Sequence, residues 1–550
     1  MIPASVSTLS EESSRATSSS PESASHLEAG TPGLLAILIV GLSLSIGWGI
    51  RGNFGHEYGA MIPGALASLA VALLSGRSDW HRRAAFFAFF GALGWSFGGS
   101  ISYMQVIGYT HSGLSGSQLY GFANLFVIGF LWAAMGGAGA ALPAFLSRER
   151  LTEFFAPLTA VFVGWTLQDF VVAKWFPENS AFRHEHPLYW YDTDWLAAAV
   201  AIAAVLVLAL ARRRLDSASS LILHMAIGWW FGFLVLVNVL GLRMTPPRGD
   251  SWSGCVGMVI GMWVYFQRHG LPGLTFASLV TGFIGGFGFA TGQLFKLLEI
   301  STGLQTNWHS VLEQSYGFIN GIGLAVALFW IARRAPAVTD EPRVRKWTEP
   351  YAIGFVLLVL TYINLVKNPE DWVTAKAMPP VLYGISAEGW FNLAFVALAA
   401  AFLVLVILHQ RRPLPLISEP WLARGQMIYL GFLWVMVIGN FERALVSFAP
   451  QRLVTEGVIF FNAALCTVGI FLAAPVASSG LPQGSIIWPR VLQRTILIGL
   501  VAGSLSVLAD WGIVRGLWGD KQLAGSGKHI RFGPNATATK EKPKTGAPHP

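Results

Sequence analysis

Long apolar runs recur from about residue 33 to about residue 516, separated by short polar connections. Runs of about 17–25 apolar residues are what a helix needs to cross a bilayer, and the chain holds about fifteen of them. They fall near 33–50, 60–75, 84–102, 121–146, 155–175, 195–212, 219–241, 253–267, 273–298, 315–332, 350–366, 390–408, 426–448, 457–475 and 495–516. The pattern predicts an all-α polytopic integral membrane protein with about fifteen transmembrane helices. Residues 1–32, rich in Ser, Glu, Ala and Pro, and the Gly- and Pro-rich residues 519–550 are expected to be disordered tails.

The connections alternate in character. GRSDWHRR (76–83), SRER (147–150), ARRRL (211–215), RRAPAVTDEPRVRK (333–346) and HQRRP (409–413) are basic. Basic loops stay on the cytoplasmic side, which puts the N-terminus inside and predicts a plasma (inner) membrane protein. The intervening connections, such as KWFPENSAFRHEHPLYWYDTDW (174–195), mix aromatics with His, Asp, Glu and Arg and are expected outside. One conflict arises at the end. An odd number of spans puts the C-terminal tail outside, although it starts with Arg515 and Lys521, so either the last span is broken or re-entrant or the count is off.

Short motifs recur in the same order along the chain. Ile46-Gly47-Trp48 returns as Ile227-Gly228-Trp229, and Arg51-Gly52-Asn53 as Arg248-Gly249-Asp250. Tyr120-Gly121-Phe122-Ala123-Asn124 returns as Tyr316-Gly317-Phe318-Ile319-Asn320, each preceded by a His-Ser pair. The order predicts a parallel 6+6 internal repeat plus a partial third unit. The expected units are 33–214, 215–413 and a three-helix extension over 414–518. Two six-helix halves with the N-terminus inside resemble the plan of the major facilitator transporters. The likeness is one of plan alone, because the Asp and Arg pair of Gly76–Arg83 departs in spacing from that family's loop.

Composition agrees with the pattern. Of 550 residues, 53% are hydrophobic and 12% charged, against roughly 25% charged in a soluble domain. The net charge of +8 lies in short clusters between apolar runs, so it orients the chain in a bilayer and implies no nucleic-acid partner. Cys255 and Cys466 both fall in or beside apolar runs and suggest neither a disulfide framework nor a metal site. No nucleotide-binding loop is present, and no cofactor is expected.

Ionisable groups at or inside apolar spans carry the candidate chemistry, because each is costly unless it pairs, meets water or binds something. The stretch GWGIRGNFGHEYGAMIPG (47–64) places Arg51, His56 and Glu57 in a glycine-rich turn between two spans. The plain alternative is an Arg51–Glu57 pair that only ties the turn. Asp169 lies within the fifth span, where a structural pair with Lys296 is the plain alternative. Arg51, Arg248 and Arg443 recur at equivalent ends of the units and suit anionic groups. Substrate-binding or coupling residues are therefore expected among Arg51, His56, Glu57, Tyr120, Asn124, Asp169, Arg248, Tyr316, Asn320, Glu442 and Arg443.

The sequence predicts a secondary transporter that moves a polar, anionic or sugar-like solute through a site between two pseudo-symmetric halves. The alternative is a membrane-embedded, glycosyltransferase-like enzyme acting on a lipid-linked substrate at the outer face. In that case His56, Glu57, Asp192 and Asp194 are the candidate acids and bases. Either reading implies contact with the lipid bilayer.

Overall fold

With no water in the bilayer core, a spanning chain must close its backbone hydrogen bonds within helices. Every apolar run named above coincides with a helix in the computed structural model. It describes residues 33–55, 57–98, 101, 103–175, 194–242, 251–304, 306–334, 345–412, 420–447, 453–473 and 486–523. The spans are α1 (Leu34–Phe54), α2 (Glu57–Leu74), α3 (Ala84–Gly98), α4 (Ser115–Phe145) and α5 (Phe155–Trp175). Next come α6 (Asp194–Arg212), α7 (Ser217–Val239), α8 (Ser251–Arg268), α9 (Pro272–Thr302) and α10 (Trp308–Ala332). The last are α11 (Thr348–Thr374), α12 (Ala387–Arg411), α13 (Pro420–Ser447), α14 (Leu453–Phe471) and α15 (Trp488–Trp518). Among the described residues, twelve helices are long and apolar enough by themselves to cross a membrane. The others are α2 and α3, whose apolar parts are shorter, and α8. The protein is an all-α, multi-pass membrane protein.

Burial sorts the helices. In α4, 83% of the spanning window is buried inside the protein, against 6% in α12. The centre consists of α1, α2, α3, α4, α9 and α10, with α4 lying along α9 and α1 along α10. Helices α5 to α8 form a group on one side, and α11 to α14 another. Apolar side chains on α6, α12 and α15 face outward, as a lipid-contacting surface requires.

The centre crosses the boundary between the two expected six-helix units, so these do not pack as separate bodies. Contacts of α8 with α4 and of α2 with α10 exchange as a twofold relation between the units would require. The two largest interfaces do not. Against α4–α9 and α1–α10, the counterparts α10–α3 and α7–α4 make at most marginal contact among the described residues.

The α1–α10 crossing fixes the position of the site described below. A Cβ on Gly317 would meet Leu44 O at 2.8 Å and Ser45 Cα at 2.8 Å, so only glycine permits this approach. Ser45 Oγ then donates to Gln314 O at 2.9 Å across the interface. Replacing Gly317 with leucine should push the two helices apart and destabilise the protein by about 1–3 kcal/mol or more. A thermal unfolding midpoint equal to wild type in detergent would contradict so tight a crossing.

The last apolar run forms an unbroken helix. Helix α15 runs continuously for 31 residues, and the chain beyond it returns to the α4 N-terminus, where Leu523 N donates to His111 O at 3.1 Å. Arg515 there is engaged by Gly519 O and Asp520, so its charge is spent locally. At the opposite end of the bundle Glu349 takes Arg424 and Arg148. The basic connections are at that end.

Candidate functional site

Arg51 occupies the last turn of α1, where a cation suits the helix C-terminus. Its guanidinium points into the protein and reaches an acceptor on a helix distant in sequence. Nη1 donates to Glu313 Oε1 of α10 at 2.8 Å and to the Tyr103 hydroxyl at 3.0 Å. The side chains of Arg51 and Glu313 are 3% and 2% exposed, which makes this a buried ion pair. Tyr103, just ahead of the short helix Met104–Thr110, donates to the same Glu313 oxygen at 2.7 Å. His309 stands one turn before Glu313 on α10, with Nε2 3.0 Å from the Tyr103 oxygen and 3.4 Å from Glu313 Oε1. Burial, together with the Glu313 charge, holds the Tyr103 hydroxyl well above its ordinary range, so it remains a donor at neutral pH.

Aromatic rings enclose the pair. The Arg51 guanidinium lies 5.2 Å from the Trp48 ring, 5.5 Å from Trp132 and 5.6 Å from Tyr103. Trp48 stacks on Trp132 with centroids 5.0 Å apart, and Tyr316 meets Trp48 edge-on at 4.9 Å. A desolvated cation over such faces gains on the order of 2 kcal/mol. Arg51 therefore has a source of stabilisation that does not depend on the charge of Glu313.

Glu313 is not saturated. Oε1 collects all of the contacts above, while Oε2 is buried without a hydrogen-bond partner among the described residues, as is His309 Nδ1. Over Oε2 lies Gly52, which is exposed, and a Cβ there would fall 2.5 Å from that oxygen. A single glycine thus separates a buried carboxylate from the surface. Buried polar groups are expensive when left unmade, so this oxygen marks a place where a proton or ligand group would be gained.

A second polar layer surrounds the first at the same end of the bundle. Asn53 Nδ2 donates to Asn440 Oδ1 at 2.6 Å, and Asn440 donates onward to the buried Glu456 of α14. Arg443 pairs with Asp371 at 2.7 Å, over the Phe54 ring. Lys367 donates to Phe54 O. Helices α11, α13 and α14 are in this way tied to the end of α1.

Of the residues expected from sequence, Arg51 is at the centre and Tyr316 in its aromatic enclosure. Asn320 donates to the Tyr316 hydroxyl at 3.0 Å, one turn further on. Arg443 belongs to the outer layer, and Glu442 beside it is exposed. Tyr120 and Asn124 lie apart from Arg51: Tyr120 packs on Tyr109, and Asn124 donates to its own helix at Tyr120 O. His56, Asp192 and Arg248 lie outside the described residues, as does the side chain of Glu57. Arg51 pairs with a residue 262 positions away, and Lys296 has Glu313 as its electrostatic neighbour, with no ion pair to Asp169 among the described contacts.

Asp169 and Asp194 share a different place. Both line a cavity of about 460 Å³ between α2–α4 and α5–α8. Its walls are apolar, with Leu93, Met135, Trp229 and Met262 among them, and it reaches from Tyr58 and Ser96 at the Arg51 end to Leu142 and Phe266 at the other. Tyr103 falls in the connection 103–121, and His309 and Glu313 in the connection 299–317, outside the apolar runs; the i,i+4 spacing of His309 and Glu313 is the signal in the sequence that points to them.

No known protein-family model, curated protein or solved structure matches the chain.

Proposed function

We propose that the protein is a secondary transporter in which Glu313 is the coupling residue and the Arg51 end faces outward. The observation that carries the reading is the buried Arg51–Glu313 pair, with one carboxylate oxygen beneath Gly52 that has no partner among the described residues. A buried ion pair is a poor device for stability, since apolar replacements of the pair often do as well. Ionisable groups inside a membrane protein more often mark proton or substrate routes. Proton uptake by Glu313 would remove the charge that joins α1 to α10 and leave Arg51 held by its aromatic enclosure. The basic connections at the opposite end support a cytoplasmic assignment for that end.

The solute path in this reading runs through the cavity beside α5–α8, because the α1–α10 and α4–α9 centre is filled by Trp48, Trp132, Phe289 and Tyr316. Reconstituted proteoliposomes with an internal pH dye test it. Sugars, carboxylates and amines are added in turn, and at least one class should give saturable proton flux that the wild type shows and Glu313→Gln lacks. Absence of flux with every class would sink the transporter. One observation favours the alternative of a transferase on a lipid-linked substrate: the cavity is deep and apolar, with Asp169 and Asp194 along it, as a chain-bearing substrate would need.

A further inference from the structure

The cavity beside α5–α8 has an uneven chemistry. Its walls are aliphatic, aromatic and thioether side chains along nearly the whole helix length. Its polar groups gather toward the Arg51 end, where Thr166, Gln168 and Asp169 of α5 face Asp194 of α6 and Tyr58 of α2. Thr166 spends its hydroxyl on Phe162 O of its own helix at 2.9 Å, and the Trp165 indole donates to Ala197 O at 2.9 Å. These two donors on the wall are therefore committed to backbone carbonyls.

Two neighbouring acceptors on α5 are not. Gln168 Oε1 is buried and has no hydrogen-bond partner among the described residues. Asp169 makes no ion pair or hydrogen bond there either, although it stands about four turns into a span, between the lipid-facing Leu167 and Phe170. A carboxylate and an amide oxygen on adjacent residues thus lack donors, in a wall that carries no described lysine or arginine. A ligand that completes this site must bring positive charge and N–H donors to that end and an apolar body to the rest. An anionic head group would meet the Asp169 carboxylate and no cation among the described lining residues, which argues against phosphate- or carboxylate-bearing substrates.

We infer that the cavity binds a lipophilic amine, with its ammonium group on Asp169 and Gln168 and its apolar part between α3–α4 and α7–α8. The inference names the substrate class of the proposed transporter and rests on that reading only for movement. Binding itself stands on the cavity.

The test uses the full chain in nanodiscs of zwitterionic lipid, with 1-naphthylmethylamine as a fluorescent probe. Two relatives with the same ring system, neutral 1-naphthylmethanol and anionic 1-naphthylacetate, serve as competitors. The amine should bind saturably, the alcohol about tenfold or more weakly, and the acid not at all. Asp169→Asn should weaken amine binding about tenfold or more, and Asp169→Glu should restore most of it. Ala197→Trp, which places a ring in the cavity, should abolish it while leaving the unfolding midpoint near that of wild type. Equal binding of amine and alcohol, or Asp169→Asn binding like wild type, would overturn the assignment. Failure of the transporter reading looks different: the amine binds in an Asp169-dependent way, yet drives no proton flux. Flux with another solute that survives Asp169→Asn, with no amine binding, would remove the cavity assignment and leave the transporter.

Discussion

Replacing Arg51 with methionine should be among the most destabilising single changes in this protein. It removes the cation from a buried pair whose members are 3% and 2% exposed and leaves Glu313 with Tyr103 and His309 as its hydrogen-bonding neighbours among the described residues. Breaking a buried pair from one side typically costs about 3–5 kcal/mol, because the remaining charge is uncompensated. Removing both charges is often close to neutral. The double variant Arg51→Met/Glu313→Leu should therefore recover most of what the single variant loses. Denaturant or thermal unfolding in detergent, arranged as a double-mutant cycle, measures this directly. Additive losses in the double variant would mean that the two side chains do not act as a pair.

Glu313→Gln tests the other half of the site. Glutamine has nearly the same volume, and its carbonyl oxygen can still accept from Arg51 and Tyr103, so the fold should survive. It cannot exchange a proton. If Glu313 couples transport, proton-linked flux should fall by about tenfold or more, while solute binding in the cavity remains. The separation matters, since a merely structural Glu313 would lose binding, flux and stability together. His309 supplies an internal comparison. Its side chain is 31% exposed and its ring stacks on Tyr103 at 5.8 Å, so it links the surface to the carboxylate. His309→Phe keeps the stack but not the nitrogen, and should slow flux without abolishing binding.

The helical plan was legible because the bilayer leaves so few options: an apolar run of sufficient length has to be a helix. Arg51 was legible for a related reason, as a charge in a glycine-rich turn between two spans. Its partner was not. Helix α10 begins at Trp308, several residues before its apolar run, so His309 and Glu313 read as loop. Nothing local joins positions 51 and 313. That contact depends on the close α1–α10 crossing at Gly317. Asp169 stood out as a charge within a span, but the cavity that gives it meaning is made by helices distant in sequence. The repeated motifs remain visible in the chain, although the main interfaces of the centre are not exchanged between the units.

Side-specific thiol labelling at the two ends of the cavity tests the transporter most directly. Single cysteines would replace Ser96, at the Arg51 end, and Leu142, at the other, in a background lacking the buried Cys255 and Cys466. Alternating access predicts that a membrane-impermeant reagent reaches Ser96→Cys from outside and Leu142→Cys from inside, in a proportion that shifts with pH or added amine. Glu313→Gln should hold that proportion fixed. Labelling of Ser96→Cys from outside under every condition, with Leu142→Cys never reached from inside, would contradict transport and leave an outer-face enzyme as the reading to pursue.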